Sequence, residues 1–123
     1  MSERRYDPES LRISVDQGHS VTVAHVTGEI DLSSADAFRE GLAERLDSDE
    51  VFVLDLDGVT FMGSMGFSVL VETHHETSRR NIRWAIVAGA GPIRRPLRIT
   101  GLEQVLPIYP SVPEALAALT TNN

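Results

Sequence analysis

No cysteine occurs in this chain. That excludes disulfide staples, thiolate metal ligands and a thiol nucleophile, and it accords with a reducing compartment. No apolar run approaches the roughly 20 residues needed to cross a bilayer. No apolar stretch follows Arg4 and Arg5, as a secretory signal requires. A cytoplasmic protein without a membrane partner is therefore expected. Positive charge is scarce: 11 Lys and Arg stand against 18 Asp and Glu, for a net charge of −7. Such a surface suits a phosphate backbone poorly, so direct nucleic-acid binding is not expected.

Catalytic and cofactor signatures are equally thin. Gly89-Ala90-Gly91 follows an apolar run, but a Lys-Ser/Thr ending is absent and Pro92 removes an N–H donor. No serine stands in a nucleophile-elbow context with a histidine and an acid to serve it. His74 and His75 are adjacent, so on a helix they diverge by about 100°, and no third residue completes a zinc-like set. Glu72 and Glu76 read as exposed partners on the same helix, and His25, inside a strand-like run, reads as structural. No metal, no cofactor and no enzymatic activity are expected.

What is present is the pattern of one α/β domain. The length of 123 residues and the 41% hydrophobic content suit a single core. Residues 1–9 are polar and read as a short mobile leader, ahead of a domain over 10–120. Leu11 to Val15 and Val21 to Val26 alternate apolar with polar, the period of half-buried strands. Asp16-Gln17-Gly18-His19 between them signals a turn, which makes an antiparallel hairpin. Ala35, Phe38, Leu42 and Leu46 lie three or four apart, the stripe of a helix. Ser33 or Ser34 caps it, Asp36 suits its positive end, and Asp47 to Glu50 closes it.

Val51 to Leu56 is a continuous apolar run broken only by Asp55, as in a buried central strand. Asp57-Gly58 then opens a loop, whose backbone Asp57 is expected to cap. A helix is predicted from about Ser64 to Arg80, with Phe67, Leu70, Val71 and His74 inward. Trp84 to Ala88 is a second buried strand, and Ile93 to Ile99 a short helix that Gly101 stops. Arg94, Arg95 and Arg98 form a small basic patch on it. Val105 to Tyr109 reads as an edge strand, because Pro107 cannot donate to a central ladder. Ser111 caps a last helix carrying Ala115, Leu116 and Leu119. Alternating strands and amphipathic helices predict a partly parallel sheet packed against helices.

Ser64 stands where a buried strand hands over to a helix. Its hydroxyl can cap the free amides there. The same place also tolerates an anion, since free N–H groups and the helix dipole both favour negative charge. A phosphate on Ser64 would add about −1.5 to −2 charges.

Three stretches resemble a known family. Gly28-Glu29-Ile30-Asp31 resembles the Gly-Glu-Leu-Asp segment of the STAS domains of bacterial anti-sigma factor antagonists. Leu54-Asp55-Leu56 through Gly66 resembles their strand and Asp-Ser-Ser-Gly phosphorylation loop. Pro92 through Leu106, with Leu97-Arg98-Ile99-Thr100-Gly101-Leu102, resembles their Leu-Thr-Gly-Leu region, and Ser111 to Leu116 their last helix. The resemblance covers about residues 11 to 119.

It implies a mixed sheet of four to five strands with about four helices. It implies a module that binds an anti-sigma factor, often itself a serine kinase, and so frees a sigma factor. Phosphorylation of the loop's first serine ends binding and a phosphatase restores it; Ser64 matches that serine. Glu29, Asp31, Ser33, Gly63, Ser64, Met65, Gly66 and Phe67 are the residues it places toward the partner. Glu29 and Asp31 then lie in the loop before the first helix, where Ile30 and Leu32 turn inward and leave the two carboxylates outward. Two positions depart from the motif: Gly63 replaces its aspartate and Met65 its second serine, changing the kinase's surroundings. A STAS scaffold subunit that binds protein partners without phosphorylation control is the alternative. Monomer and weak dimer both remain open.

Overall fold

The computed structural model describes residues 11–17, 20–48, 50–89 and 91–120. The expected leader, and Gly18, His19, Asp49 and Ala90 within the expected turns, lie outside them. Five strands and four helices follow one another: β1 Leu11–Asp16, β2 Thr22–Ile30, α1 Ala35–Asp47, β3 Phe52–Met62, α2 Ser64–Arg80, β4 Trp84–Val87, α3 Gly91–Ile99, β5 Ile108–Tyr109 and α4 Val112–Thr120, with a 3-10 turn at Leu102–Gln104. The sheet order is β1-β2-β3-β4-β5. β1 and β2 form the expected antiparallel hairpin, and the other pairs are parallel. This is the mixed α/β sheet that the residue pattern predicts.

Alternation in the strands sorts the core into two layers. Phe52, Leu54 and Leu56 of β3 and Trp84 and Ile86 of β4 face α1, α2 and α3, where they meet Phe38, Leu42, Leu70, Ile93 and Leu97. Val53, Ala85 and Val87 face the other way and are covered by Ala115 and Leu119 of α4. Ser111 accepts from the Glu114 amide at 3.3 Å and so caps α4 as expected. Over β1 and the outer part of β2 no helix among the described residues covers that second face, and Arg12, Ser14 and Asp16 are exposed there. His25 meets Asp55 across the strands at 2.7 Å, a structural pairing on the same open face.

Four expectations shift. β3 does not end at Leu56 but runs on to Met62, paired with β2 throughout. Asp57-Gly58 looks like a turn locally, yet register shifts between His25 and Thr27 and between Gly28 and Glu29 let both strands bend and continue. Gly58 is the residue this bend needs, because a Cβ there would lie 2.5 Å from Thr27 Cγ2 and 3.1 Å from the Val26 carbonyl. Asp57 does cap a loop backbone, but a distant one: its carboxylate accepts from the Gly89 amide at 2.9 Å.

The inward face of α2 is rotated from the expected one. Gly66, Val69, Leu70, Thr73 and Thr77 are buried, while Phe67 is half-buried and Val71 exposed. His74 is half-buried and accepts from the Trp84 indole at 3.1 Å, which gives it a structural role. β5 is only two residues long, because the 3-10 turn takes up the Leu106 amide. It lies at the sheet edge as expected, with Pro107 contributing only its carbonyl, to the Ile86 amide at 2.8 Å. Asn81 in the left-handed region ends α2, and Gly101 at φ 82° turns the chain out of α3.

Candidate functional site

The parallel pairing of β2 with β3 brings two strand ends side by side, Glu29 beside Phe61 and Ile30 beside Met62. Each strand then delivers a helix: β2 through Asp31 to α1, β3 through Gly63 to α2. The Gly63 amide donates to the Ile30 carbonyl at 2.8 Å and ties the two exits together. Parallel sheets present their ligand-facing groups at such carboxyl ends.

Ser64 is the first residue of α2 and is exposed. It does not cap the helix. Gly63 occupies the cap position, with no side-chain bond to the helix amides. The Ser64 hydroxyl has no hydrogen-bond partner among the described residues. Gly63 adopts φ −84° and ψ 179°, ordinary extended backbone, and a Cβ there would make only van der Waals contact. An aspartate would fit, so this position does not need glycine for its geometry. The glycine leaves the first turn uncapped and Ser64 unobstructed. Gly66 is different: a Cβ there would meet Met62 Cγ at 2.5 Å and Ile30 Cγ2 at 2.9 Å. Its bareness seats the first turn of α2 directly on both strand ends. Gly66 is thus buried beneath the site, and Phe67 half-buried beside it.

The Gly28 to Ser34 segment is only partly as expected. Glu29 lies in β2 itself, not in a loop, and is exposed. Asp31 turns back on its own chain. Its Oδ1 accepts from the Ser33 amide at 3.0 Å, the Ser33 hydroxyl at 2.8 Å, the Ser34 amide at 3.2 Å and the Ser34 hydroxyl at 3.2 Å. Ser34, with 0% exposure, completes the turn by donating its hydroxyl to the Glu29 carbonyl at 2.9 Å and accepting from the Asp31 amide at 3.0 Å. This knot expels Leu32, which is 81% exposed and not inward as the apolar pattern implied. Ser33 remains on the surface.

The Ser33 hydroxyl, with the Ser33 and Ser34 amides, holds the Asp31 carboxyl below the usual carboxylate range. A depressed carboxylate stabilises the fold above its ordinary value near about 3.9 and loses that effect as pH falls through the lower folded value. Replacing Asp31 by Ala is expected to cost about 1 kcal/mol, the size of a lost cap. In urea titrations the gap between D31A and the parent should hold constant above about pH 4 and shrink below it. A gap that persists unchanged into strong acid would mean the carboxylate is not what holds the turn.

Around Ser64 therefore stand three apolar side chains that the fold does not use: Leu32, Phe61 at 50% exposure and Met65 at 37%. Of these only Met65 was expected. Leu32 was masked by its alternation with the inward Ile30, and Phe61 by the assumption of a loop. Exposed apolar side chains near polar groups such as Glu29 and Ser33 have the character of a docking surface.

Other candidates fall away. Among the described residues no group of three His, Asp or Glu is placed to hold a metal. The Gly89 amide is already given to Asp57, so it offers nothing to a phosphate. Arg94 is spent on Glu103 at 3.3 Å and the Ala88 carbonyl at 3.1 Å. Arg95 and Arg98 line an open groove of about 630 Å³ with Pro92 and Pro96. Among the described residues no helix is long and apolar enough to cross a membrane.

Comparison with known proteins accords with this geometry. The anti-sigma-F factor antagonist RsfB of Mycobacterium tuberculosis is 30% identical over 113 residues, covering 91% of this chain and 92% of that protein. The crystal structure of an anti-sigma factor antagonist from Mycobacterium paratuberculosis superposes with a TM-score of 0.84 at 32% identity, over 94% of this chain and 98% of that one. The Bacillus cell fate determinant SpoIIAA in its phosphorylated form shares the fold, with a TM-score of 0.65 at 14% identity, over 88% of this chain and 99% of that one. The family model for the STAS domain matches residues 12–115, and the chain belongs to that family.

Proposed function

We propose that this protein is an anti-sigma factor antagonist that acts by binding and not by catalysis. It docks an anti-sigma factor in the cytoplasm through the surface around Ser64, and the sigma factor held by that partner is released. Glu29, Ser33, Gly63, Ser64, Met65 and Phe67 form or border the docking surface, with Leu32 and Phe61 added to it. Asp31 and Gly66 act from beneath, one fixing the Gly28–Ser34 turn and the other seating α2. The observation that carries this reading is an exposed hydroxyl at the first residue of a helix, without a partner among the described residues, at the strand ends that also leave Leu32, Phe61 and Met65 exposed.

Where the anti-sigma factor is also a serine kinase, Ser64 is its acceptor. A phosphate there is accommodated by the helix dipole of its own chain but confronts the partner with a dianion, and a phosphatase resets the surface. Gly63 and Met65, departing from the family motif, favour a second reading in which the same surface binds constitutively. The test is reconstitution with the purified anti-sigma factor encoded beside this protein or co-purifying with it. Added to that factor's complex with its sigma factor, the protein should displace the sigma factor, seen as free sigma on a native gel. ATP should reverse the displacement if Ser64 is phosphorylated and leave it unchanged if binding is constitutive. Absence of any complex with the anti-sigma factor would end the proposal.

A further inference from the structure

One edge of the sheet carries a feature that the docking surface does not use. β1 is the terminal strand, with β2 on one side and no further strand on the other among the described residues. An antiparallel partner on β2 leaves alternate N–H and C=O groups of β1 turned outward, a template for another strand. Proteins blunt such edges with proline, bulges or charged side chains that a neighbouring strand cannot match. β1, reading Leu-Arg-Ile-Ser-Val-Asp, has no proline, and no bulge interrupts its register with β2. Its two charges are opposite in sign and sit symmetrically about Ser14.

That symmetry names the occupant. We infer that β1 is a self-complementary edge on which a second copy of this chain pairs, antiparallel and centred on Ser14. In that register Arg12 of each copy stands beside Asp16 of the other, and Ile13 beside Val15. A parallel pairing would set Arg12 against Arg12 and Asp16 against Asp16. A slip by two residues would leave both charges opposite serine or outside the strand. Only the register centred on Ser14 sets both Arg12 and Asp16 opposite a charge of the other sign at once. It also gives cross-strand apolar neighbours to Val15, a large side chain left 43% exposed in the single copy.

The α1 side of the edge is shaped consistently. Ile13, Val15, Ala24, Ala37 and Gly41 floor a groove of about 270 Å³ beside β1. Gly41 lets α1 close onto Ile13, since a Cβ there would lie 2.6 Å from its Cδ1. Glu40, Glu44 and Arg45 rim the same groove, with Arg45 held to Glu50 at 3.2 Å, and the Glu40 and Glu44 carboxylates would approach those of the second copy. This repulsion opposes the strand pairing and limits its strength, so the dimer is a concentration-dependent one. A two-fold axis through Ser14 reverses strand direction, so the two Ser64 surfaces lie at opposite ends of one continuous sheet, both open. The inference is independent of the proposed function: a dimer that fails to form leaves the docking surface intact.

The test is sedimentation velocity on the full chain over a range of concentrations, with charge-reversal variants. The wild type should show a reversible dimer. R12D and D16R should each raise its dissociation constant about tenfold or more, because two attractive cross-strand pairs become repulsive. The double variant R12D/D16R restores opposite charges and should recover the wild-type constant. Circular dichroism melts confirm that each variant folds. Because the chain has no cysteine, S14C supplies an independent readout. Opposed Cα atoms in an antiparallel pair lie about 4.5–5.5 Å apart, within disulfide range, so S14C should cross-link rapidly under mild oxidation. S48C, on the exposed end of α1, should not. A wild type that stays monomeric at every soluble concentration, single reversals that dimerise unchanged, a double variant that fails to recover, or S14C cross-linking no faster than S48C would each overturn the inference.

Discussion

Glutamate in place of Ser64 is expected to weaken binding to the anti-sigma factor about a hundredfold, equivalent to roughly 2.7 kcal/mol, without lowering the stability of the fold. The two halves of this expectation come from different physics. In the complex, an exposed hydroxyl among Leu32, Phe61 and Met65 is covered by another protein, and a carboxylate there must lose its water without a matched partner. In the free protein the same carboxylate stands in the first turn of α2, where the dipole stabilises it by about 0.3–1 kcal/mol. No hydrogen bond is lost, because the Ser64 hydroxyl makes none among the described residues. S64E should therefore melt at or above the parent temperature while its calorimetric affinity collapses.

S64A should bind within about tenfold of the parent, having lost at most one hydrogen bond. True phosphorylation, with more charge than a carboxylate, should exceed the effect of S64E. Equal affinity of S64E and the parent would remove Ser64 from the interface. A large loss for S64A would mean instead that the hydroxyl itself is a principal contact.

The parts of the fold that were legible in the sequence are those where local pattern and tertiary role agree. Phe38, Leu42 and Leu46 keep helical spacing and are buried as a stripe; Val53, Leu54, Ala85 and Ile86 form the apolar runs of strands covered on both faces. The cap Ser111 at the start of α4 and the stop at Gly101 are single-residue signals with single-residue causes. The failures share one origin. Asp57-Gly58 carries turn chemistry, but pairing with β2 outweighs it: β3 takes up its extra residues as bulges, advancing three positions from Asp55 to Gly58 while β2 advances two, and continues to Met62. Leu32 follows an apolar alternation that would bury it, but four hydrogen bonds onto Asp31 re-aim the chain. The spacing Asp31-x-Ser33-Ser34 is the one local sign of that knot. Both errors fall at the candidate site, so its position was readable while two of its exposed apolar groups were not. Local rules are expected to break where function competes with folding.

Two phenylalanines separate the fold from the site most sharply. Phe38, in α1, is fully buried between the helices and the sheet, whereas Phe61, at the end of β3, is half exposed beside Ser64. F38A should cost about 3–5 kcal/mol, since the cavity left by a ring adds to the lost transfer energy. Domains of this size have only about 5–15 kcal/mol in total, so F38A should shift the urea midpoint strongly and lose binding only in proportion to the unfolded fraction. F61A removes a ring that already meets water on one side and should change stability by less than about 1 kcal/mol. In a complex the same ring is an aromatic anchor, and such residues lose more than about 1 kcal/mol of binding when truncated. The expected outcome is a crossed pattern: F38A unstable but competent in its folded fraction, F61A stable but deficient in binding. Urea titration with calorimetry on both variants reads it directly. Should F61A unfold as readily as F38A, the exposed ring would be holding the strand ends together, and Phe61 would leave the docking surface for the core.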